Sequence, residues 1–367
     1  MKSIKTLGLM NKVISVSCLL AGAVSAQAQA QTSFPNQEKG MEKGVSACFA
    51  GMLDGQLLMA GGCNFPDKPV AEGGKKHYYE GIYATSVSGE AFDWQRIGTL
   101  PEPAAYGLTL PVAHGLVLIG GNNDHGLAAC IQLSTDSSGA LRLDSLPALP
   151  CAIDNMAGAA MGDTLYIIGG NADGKASRAL LSLSLGHVDL GWQPVAELPG
   201  AARVQPVCAA VGDRLYVWGG FHADGEQSEV ATDGWSYNVK TGLWQPLPSP
   251  TDEAGEPLTL SGGTATAIGD KIVCTGGVNR SIFLDAISGR YQLTTKADYL
   301  RHPIEWYKFN DLALVFNTVE GRWEQPCGRS AAFARAGATA VGHGEGLFLV
   351  GGEVKPGVRT PTVVYLK

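Results

Sequence analysis

The segment GGEVKPGVRT at residues 351–360 places a carboxylate and a guanidinium six residues apart. Glu353 directly follows an apolar run that ends in a glycine pair, and Pro356-Gly357 imposes a turn before Arg359. A turn of this size predicts that Arg359 returns alongside Glu353. A positioned carboxylate is a general base, and a guanidinium is a preferred partner for a ligand carboxylate. The same pair also fits a surface salt bridge of small energetic value.

The apolar run before Glu353 is one of six in the chain that close in Gly-Gly. Each has the length of a strand buried on both faces, and several follow a Gly-Asp hairpin signal. The six runs are LLMAGG (57–62), LVLIGG (116–121), LYIIGG (165–170), LYVWGG (215–220), IVCTGG (272–277) and LFLVGG (347–352). The repeat explains why glycine reaches 49 of 367 residues, and it is similar to the kelch repeat. It predicts an all-β fold, specifically a six-bladed kelch-type β-propeller.

Long insertions follow three of the glycine pairs, at Cys63–Glu80, Phe221–Gly234 and Val278–Lys308. All three occupy the connection between the second and third predicted strands of a repeat, so they should emerge on one rim of the propeller. They contain aromatic and polar side chains, among them Tyr79 and Tyr307. Long loops gathered on one rim predict a pocket for a polar ligand of sugar size. The plainer interpretation is that each side chain only packs its insertion against the scaffold.

The N-terminus has the pattern of a secretory signal peptide. Three lysines precede an apolar run at residues 13–24, and small residues follow it. We expect cleavage to remove residues 1–26 and to leave 27–367 as a single propeller in the periplasm, with no lipid anchor and no membrane insertion. One strand follows the last glycine pair, so the segment Gln27–Glu42 is expected to complete the last sheet.

Composition argues against several classes of protein. The hydrophobic share of 45% supports a large core, and a net charge of −7 argues against non-specific nucleic-acid binding. Seven of the eight cysteines lie beyond the predicted cleavage site. They are odd in number, widely spaced and without a CxxC motif, which predicts mostly buried thiols, at most one disulfide and no metal site.

On these motifs the chain resembles the bacterial sialic acid mutarotases, or N-acetylneuraminate epimerases, most closely their cyclically permuted branch. The segments that carry the resemblance are GGEVKPGVRT (351–360), TGGVNRSIF (275–283), EWYKFNDLALVFN (305–317), YNVKTGLWQPL (237–247) and FAGMLDGQLLMAGG (49–62). The resemblance spans roughly residues 44–367. It implies that Glu353 and Arg359 are the catalytic pair. The further pocket residues that it implies are Asn279, Arg203, Gln205 and Tyr307.

The activity implied is conversion of one anomer of N-acetylneuraminate to the other through ring opening. This reaction needs a base for the anomeric hydroxyl proton and an acid for the ring oxygen. Glu353 is expected to exchange the proton, while Arg359 orients the substrate carboxylate and contacts the ligand more than it contacts Glu353. No metal or other cofactor is expected, and the partner is a small sugar acid.

Three other functions fit the same scaffold. A non-catalytic carbohydrate-binding propeller would bind sugar without accelerating anomer exchange. A protein-interaction platform would present a broad apolar face rather than a polar pocket. A copper radical oxidase would need two tyrosines, two histidines and a cysteine to converge, which the scattered histidines disfavour.

Overall fold

The computed structural model describes residues 34–88 and 91–367, together with the backbone of two short strands, Val13–Ser15 and Gln27–Gln31. Within these residues there is one α-helix, Arg280–Ile287, and most of the remaining regular structure is β-strand. The described strands form six antiparallel sheets of four or more strands, and a short hairpin joins the first two strands of each sheet. The prediction of an all-β fold is confirmed.

The sheets are numbered here in chain order. Sheet 1 contains Phe49–Leu53, Gln56–Ala60, Gly81–Ser86 and Gln95–Thr99. Sheet 2 contains Leu108–Val112, Gly115–Asn122, Gly126–Thr135 and Leu141–Leu146. Sheet 3 contains Ala157–Met161, Thr164–Ile168, Ala179–Ser184 and Gln193–Glu197. Sheet 4 contains Val207–Val211, Arg214–Trp218, Gly234–Asn238 and Leu243–Leu247.

Sheets 5 and 6 follow the same order with additions at their outer edges. Sheet 5 contains Thr264–Ile268, Lys271–Thr275, Leu312–Asn317, Arg322–Trp323 and Gly328–Arg329. Sheet 6 contains Thr339–His343, Gly346–Val350, Val363–Leu366 and, from the other end of the chain, Gln27–Gln31 and Val13–Ser15. The expectation that the N-terminal segment completes the last sheet is confirmed.

The predicted signal peptide falls mainly outside the described residues. Of residues 1–26 the structure describes only Val13–Ser15, whose backbone pairs with the strand Gln27–Gln31. Cleavage and export therefore stay predictions. No helix in the described part of the chain is long and apolar enough to cross a membrane.

Glycine pairs end the second strands because the next sheet's loop lies against them. At Gly276 a β-carbon would be 2.3 Å from the carbonyl oxygen of Arg335, and φ is +71°. At Gly351 the same position would be 2.3 Å from the Val45 carbonyl oxygen, which joins the last sheet to the first. Only glycine combines this left-handed backbone with so close an approach. These glycines therefore let neighbouring sheets approach each other closely.

A closed ring of six backbone hydrogen bonds joins the loops that precede the first strands of the described sheets. Each member stands two residues before its sheet, has a positive φ, and donates its N–H to the carbonyl of the member before it at 2.7–3.0 Å. The ring, called the collar below, consists of Ala47, Tyr106, Asn155, Gln205, Gly262 and Gly337. Ala47 donates to Gly337 at 2.7 Å and closes it. Beside the collar, residues of the first strands line a cavity of about 410 Å³.

The core is divided among the interfaces between sheets. Six buried apolar clusters of the described residues each unite two adjacent sheets, including one that joins sheet 6 to sheet 1. Between sheets 4 and 5, the Trp218 ring centroid lies 4.8 Å from that of Phe316 and 5.0 Å from that of Trp323. Aromatic pairs of this kind add to the stabilisation from apolar burial alone. The sheets therefore stabilise one another in cyclic order.

Candidate functional site

The predicted pair Glu353 and Arg359 lies on a short hairpin between the second and third strands of sheet 6. Its strands are Glu353–Lys355 and Val358–Arg359, and Gly357 makes the turn with a φ of 82°. Glu353 and Arg359 stand directly opposite each other, and Arg359 Nη1 donates to Glu353 Oε2. The prediction that Arg359 returns alongside Glu353 is confirmed.

Arg359 is buried and makes its hydrogen bonds to neighbouring residues of the protein. Its side chain is 4% exposed, against 25% for Glu353. Burial alone would lower the pKa of Arg359, but the Glu353 carboxylate is the largest of several opposing influences that leave it raised. Nε donates to the Cys63 carbonyl at 3.4 Å, and Nη2 has no hydrogen-bond partner among the described residues. Arg359 therefore does contact Glu353, and Nη2 is the nitrogen left for a ligand. That Arg359 contacts the ligand more than Glu353 stays a prediction.

The Glu353 carboxylate has one occupied oxygen and one free oxygen. Oε2 accepts from Arg359 and, at 3.3 Å, from the backbone N–H of Gly357. Oε1 accepts no hydrogen bond from the described part of the chain. The hairpin thus fixes the side chain through Oε2 and leaves Oε1 able to accept a proton from a ligand.

Two insertions hold this hairpin from either side. Lys355 Nζ donates at 2.6 Å to the carbonyl of His302, in the insertion of sheet 5. Val70, in the insertion of sheet 1, packs so closely on Gly357 that a β-carbon there would be 2.1 Å from Cγ1. Both insertions emerge between the second and third strands of their sheets, as the sequence predicts. The Glu353 hairpin is therefore held between the insertions of sheets 1 and 5.

Glu353 belongs to a set of equivalent positions directly after the glycine pairs. Glu353 bridges to Ala336, which precedes the collar, and Cys63 bridges in the same way to Ser46. The equivalent residues are Cys63, Asn122, Asn171, Phe221, Val278 and Glu353. The sequence reasoning selected Glu353 alone, although the glycine pairs mark all six positions.

Tyr106, which the sequence reasoning missed, stands at the collar beside this set. Its φ is 62°, a value that few residues with a β-carbon adopt. Its hydroxyl accepts hydrogen bonds from Lys76 Nζ at 3.0 Å and from the Cys63 thiol at 3.4 Å. Burial is the main reason that the pKa of Tyr106 is raised, whereas the charge of Arg359 acts against that shift. Nothing in a single sequence marks its backbone conformation.

An amide network surrounds the buried carboxylate of Asp154. Its Oδ1 accepts from Asn155 at 2.6 Å and Asn171 at 2.8 Å, and its Oδ2 accepts from Asn122 at 3.1 Å. Gln205 Nε2 donates to Asn155 Oδ1 at 2.7 Å. The structure thus places the predicted ligand residue Gln205 at the collar, beside a fixed group of hydrogen-bonding side chains.

The predicted ligand residues Asn279 and Tyr307 share a small cavity with Glu353. The cavity has a volume of about 30 Å³, so it is far smaller than a sugar. Asn279 Oδ1 caps the α-helix by accepting a backbone N–H at 3.1 Å. Tyr307 is buried and donates its hydroxyl to the carbonyl of Tyr299. Both residues lie near Glu353, where they hold the insertion of sheet 5 in place.

Two other predicted ligand residues, Tyr79 and Arg203, are buried and hydrogen-bonded within the protein. Tyr79 is fully buried, and its hydroxyl donates to Asn64 Oδ1 at 2.9 Å. Arg203 is 2% exposed, with Nη1 and Nη2 bonded to Asp233 at 2.8 and 3.3 Å and Nε bonded to a backbone carbonyl at 3.2 Å. Burial and these hydrogen bonds occupy both side chains, and the binding of substrate by Tyr79 and Arg203 stays a prediction.

Arg335 occupies the position before sheet 6 that Arg203 occupies before sheet 4. Its Nη1 donates to the carbonyls of Gly351 and Thr362 at 2.8 and 2.9 Å. Its Nε has no hydrogen-bond partner, and no carboxylate of the described chain pairs with it. Burial lowers the pKa of Arg335 to about 10. This guanidinium therefore lacks the counter-ion that Asp233 gives to Arg203.

We expect Thr362→Asp to raise the free energy of unfolding by about 1–2 kcal/mol at pH 7, because hydrogen bonds to charged groups contribute roughly this much. Thr362 precedes the third strand of sheet 6 as Asp233 precedes that of sheet 4. Denaturant titration measures the change. The matched variant Asp233→Thr should lose about 1 kcal/mol, a modest value because Asp233 is 43% exposed. An unchanged or lower stability of Thr362→Asp would contradict the expected pairing.

The pH dependence of the free energy of unfolding distinguishes the ion pair between Asp233 and Arg203 from the packing effects of the substitution. Burial acts to raise the pKa of Asp233, but its hydrogen bond and ion pair with Arg203 outweigh burial and lower it. A lowered pKa in the folded state means that the stabilisation is present at neutral pH and is lost as the pH falls through that lowered value. The stability difference between the native protein and Asp233→Thr should therefore shrink in acid.

Four of the seven described cysteines are buried, and the other three are partly exposed. Burial raises the pKa of Cys48 and Cys208 to about 12, so both thiols stay neutral. The prediction of mostly buried thiols is confirmed. No group of three or more His, Cys, Asp or Glu side chains that would hold a metal ion occurs in the ranges that the structure describes.

Comparison with known proteins gives the same family relationship as the sequence motifs that contain Glu353 and Arg359. The N-acetylneuraminate epimerase of Haemophilus influenzae (strain PittEE) is 31% identical over 242 residues, which cover 64% of this chain and 62% of that relative. The N-acetylneuraminate epimerase of Escherichia coli O1:K1 / APEC is 32% identical over 230 residues, or 60% of each chain. The chain thus matches about three fifths of the length of these curated relatives.

A solved structure and a family model extend the comparison. The structure described as "Structure of YjhT" has a TM-score of 0.51 and 30% identity, and it covers 58% of this chain and 61% of that chain. A family model described as N-acetylneuraminate epimerase matches residues 5–139 and 146–367. Because this match covers nearly the whole sequence, the chain belongs to the N-acetylneuraminate epimerase family.

Proposed function

We propose that this protein is a mutarotase that accelerates interconversion of the α and β anomers of N-acetylneuraminate. The observation that carries the proposal is the Glu353 carboxylate, which is fixed through Oε2 and has Oε1 free at the rim. Family membership supports the same substrate, since the matched relatives are named N-acetylneuraminate epimerases.

Ring opening assigns a role to each residue of the pair. Glu353 Oε1 accepts the proton of the anomeric hydroxyl as the bond between the anomeric carbon and the ring oxygen breaks. After rotation of the open chain, Glu353 returns the proton to the new anomeric oxygen. Arg359 holds Glu353 through Nη1, and its Nη2 donates to the substrate carboxylate. Arg359 is thus first a positioning residue and second a ligand contact.

The scaffold proposed for this chemistry is a single six-bladed kelch-type propeller from residue 27 to residue 367. Three observations support it: the closed collar, the contacts of the first strands in cyclic order, and the apolar cluster between sheets 6 and 1. The similarity to YjhT, a kelch-type propeller, adds to them. We place the mature protein in the periplasm on the pattern of residues 1–26 alone.

Exchange NMR at equilibrium tests the proposed activity. Magnetisation transfer between the H3 resonances of the two N-acetylneuraminate anomers gives the exchange rate directly, and glucose serves as a neutral comparison sugar. We expect catalytic amounts of protein to raise the exchange rate of N-acetylneuraminate strongly and that of glucose little. Binding without faster exchange would instead indicate the non-catalytic carbohydrate-binding function.

A further inference from the structure

The proposed reaction needs a second proton-transferring group, which Glu353 does not supply. While Glu353 takes the anomeric proton, the departing ring oxygen must gain one. We propose that Tyr106 is this general acid, donating its phenolic proton to the ring oxygen. The inference rests on the proposed function and adds a catalytic residue to it.

The hydrogen bonds at Tyr106 leave its proton available. The hydroxyl oxygen accepts from Lys76 Nζ at 3.0 Å and from the Cys63 thiol at 3.4 Å. Within residues 34–88 and 91–367 no acceptor takes the hydroxyl proton of Tyr106. A phenol that accepts twice and donates to nothing in the protein has its O–H free for a ligand.

Tyr106 and Glu353 are linked through two intervening residues. Arg359 donates to Glu353 through Nη1 and to the Cys63 carbonyl through Nε, and the Cys63 thiol donates to Tyr106. The acid and the base therefore stand on either side of Arg359 and Cys63 rather than in contact. The reaction deprotonates the anomeric hydroxyl while it protonates the ring oxygen, so the base and the acid act on two different oxygens of the substrate.

The charges around Tyr106 support the role. Its φ of 62° is left-handed, like that of every member of the collar, and fixes the position of the side chain. The groups that face the hydroxyl are Cys63, Lys76, Arg359 and Glu353. Burial raises the pKa of Tyr106, so the phenol is protonated at neutral pH. The Lys76 ammonium, 3.0 Å away, stabilises the phenolate that forms on donation.

The step balances without any co-reactant. Glu353 removes the proton from the anomeric hydroxyl, the electrons of that O–H bond form the carbonyl, and the bond to the ring oxygen breaks. The ring oxygen keeps that bonding pair and takes the proton of Tyr106. After rotation, the hydroxyl so formed adds to the other face of the carbonyl and returns its proton to Tyr106, while Glu353 protonates the new anomeric oxygen.

Tyr106→Phe tests the assignment, because phenylalanine keeps the ring and the backbone strain and removes only the hydroxyl. We expect the anomer exchange rate to fall at least 100-fold, since general acid catalysis contributes about 10²–10⁴. The dissociation constant for N-acetylneuraminate should change less than threefold. Tyr78→Phe is the matched control, because Tyr78 lies near the same lysine but donates its proton to Asn122 at 3.2 Å. Its exchange rate should stay within threefold of the native rate.

A second substitution covers the case in which Tyr106→Phe fails to fold. Difluorotyrosine at position 106 keeps the shape and makes the phenol more acidic, so a general acid there should change the exchange rate, whereas difluorotyrosine at position 78 should not. Exchange by Tyr106→Phe at the native rate, or no response to fluorination, would overturn the assignment. A native protein that accelerates no exchange would overturn the proposed function, which is a distinguishable failure.

Discussion

Glu353→Gln is expected to slow anomer exchange of N-acetylneuraminate by about 10²–10⁴-fold, the contribution typical of a positioned proton-transfer group. Glutamine keeps the shape of the side chain and an oxygen that Arg359 Nη1 can still reach, but it has no basic oxygen. The dissociation constant should therefore change by only a few-fold. Exchange NMR gives the rate, and isothermal titration calorimetry gives the affinity.

Glu345→Gln is the matched control for this substitution. Glu345 is an exposed glutamate at the turn between the first and second strands of sheet 6, whereas Glu353 follows the second strand at its far end. Its exchange rate should equal that of the native protein. If Glu353→Gln exchanged anomers as fast as Glu345→Gln, the base would lie elsewhere, and the insertion of sheet 5 would be the first place to look.

Gly276→Ala is expected to lower the free energy of unfolding by about 2–4 kcal/mol. Alanine at a φ of +71° costs about 1 kcal/mol, and its β-carbon would be 2.3 Å from the Arg335 carbonyl oxygen. That oxygen belongs to the backbone of the next sheet's loop, so relief requires the two sheets to separate. Overpacking of this kind typically adds about 1–3 kcal/mol. Denaturant titration followed by tryptophan fluorescence measures the loss.

Gly269→Ala isolates the packing part of that loss. Gly269 lies in the hairpin at the other end of the same two strands, has a φ of +60°, and has nothing within 4 Å of the position of a β-carbon. Its substitution should cost only the backbone strain, about 1 kcal/mol. Equal losses at the two positions would show that the glycine pair is needed for conformation alone and not for the approach of the next sheet.

The fold was predictable because its determinants are local and repeated. Glycine pairs after apolar runs identify the second strands, and the approach of Val45 to Gly351 shows why alanine is excluded there. The N-terminal strand of sheet 6 followed from counting strands, since one element was missing from the last repeat. The collar was not predictable, because its left-handed conformations fall on alanine, tyrosine, asparagine, glutamine and glycine alike.

The sequence predicted the candidate site only where residues with suitable side chains lie close together along the chain. Glu353 and Arg359 lie on one short turn, so their proximity follows from the sequence between them. Tyr106 lies at the same site because it is a member of the collar, which forms only in the folded protein. Its hydrogen-bond partner Lys76 belongs to a different loop. Arg203 carries the same chemistry as Arg359, yet the distant Asp233 occupies it fully. Which buried guanidinium has a counter-ion depends on tertiary contacts that residue type does not determine.

The most direct test of the account is the approach to anomeric equilibrium of freshly dissolved crystalline N-acetylneuraminate, followed by one-dimensional NMR with and without the native protein. The account predicts that catalytic amounts of protein shorten this approach markedly, leave the final ratio of anomers unchanged, and lose the effect when Glu353→Gln replaces the native protein. An identical time course with and without native protein, under conditions in which calorimetry shows the sugar to be bound, would contradict it.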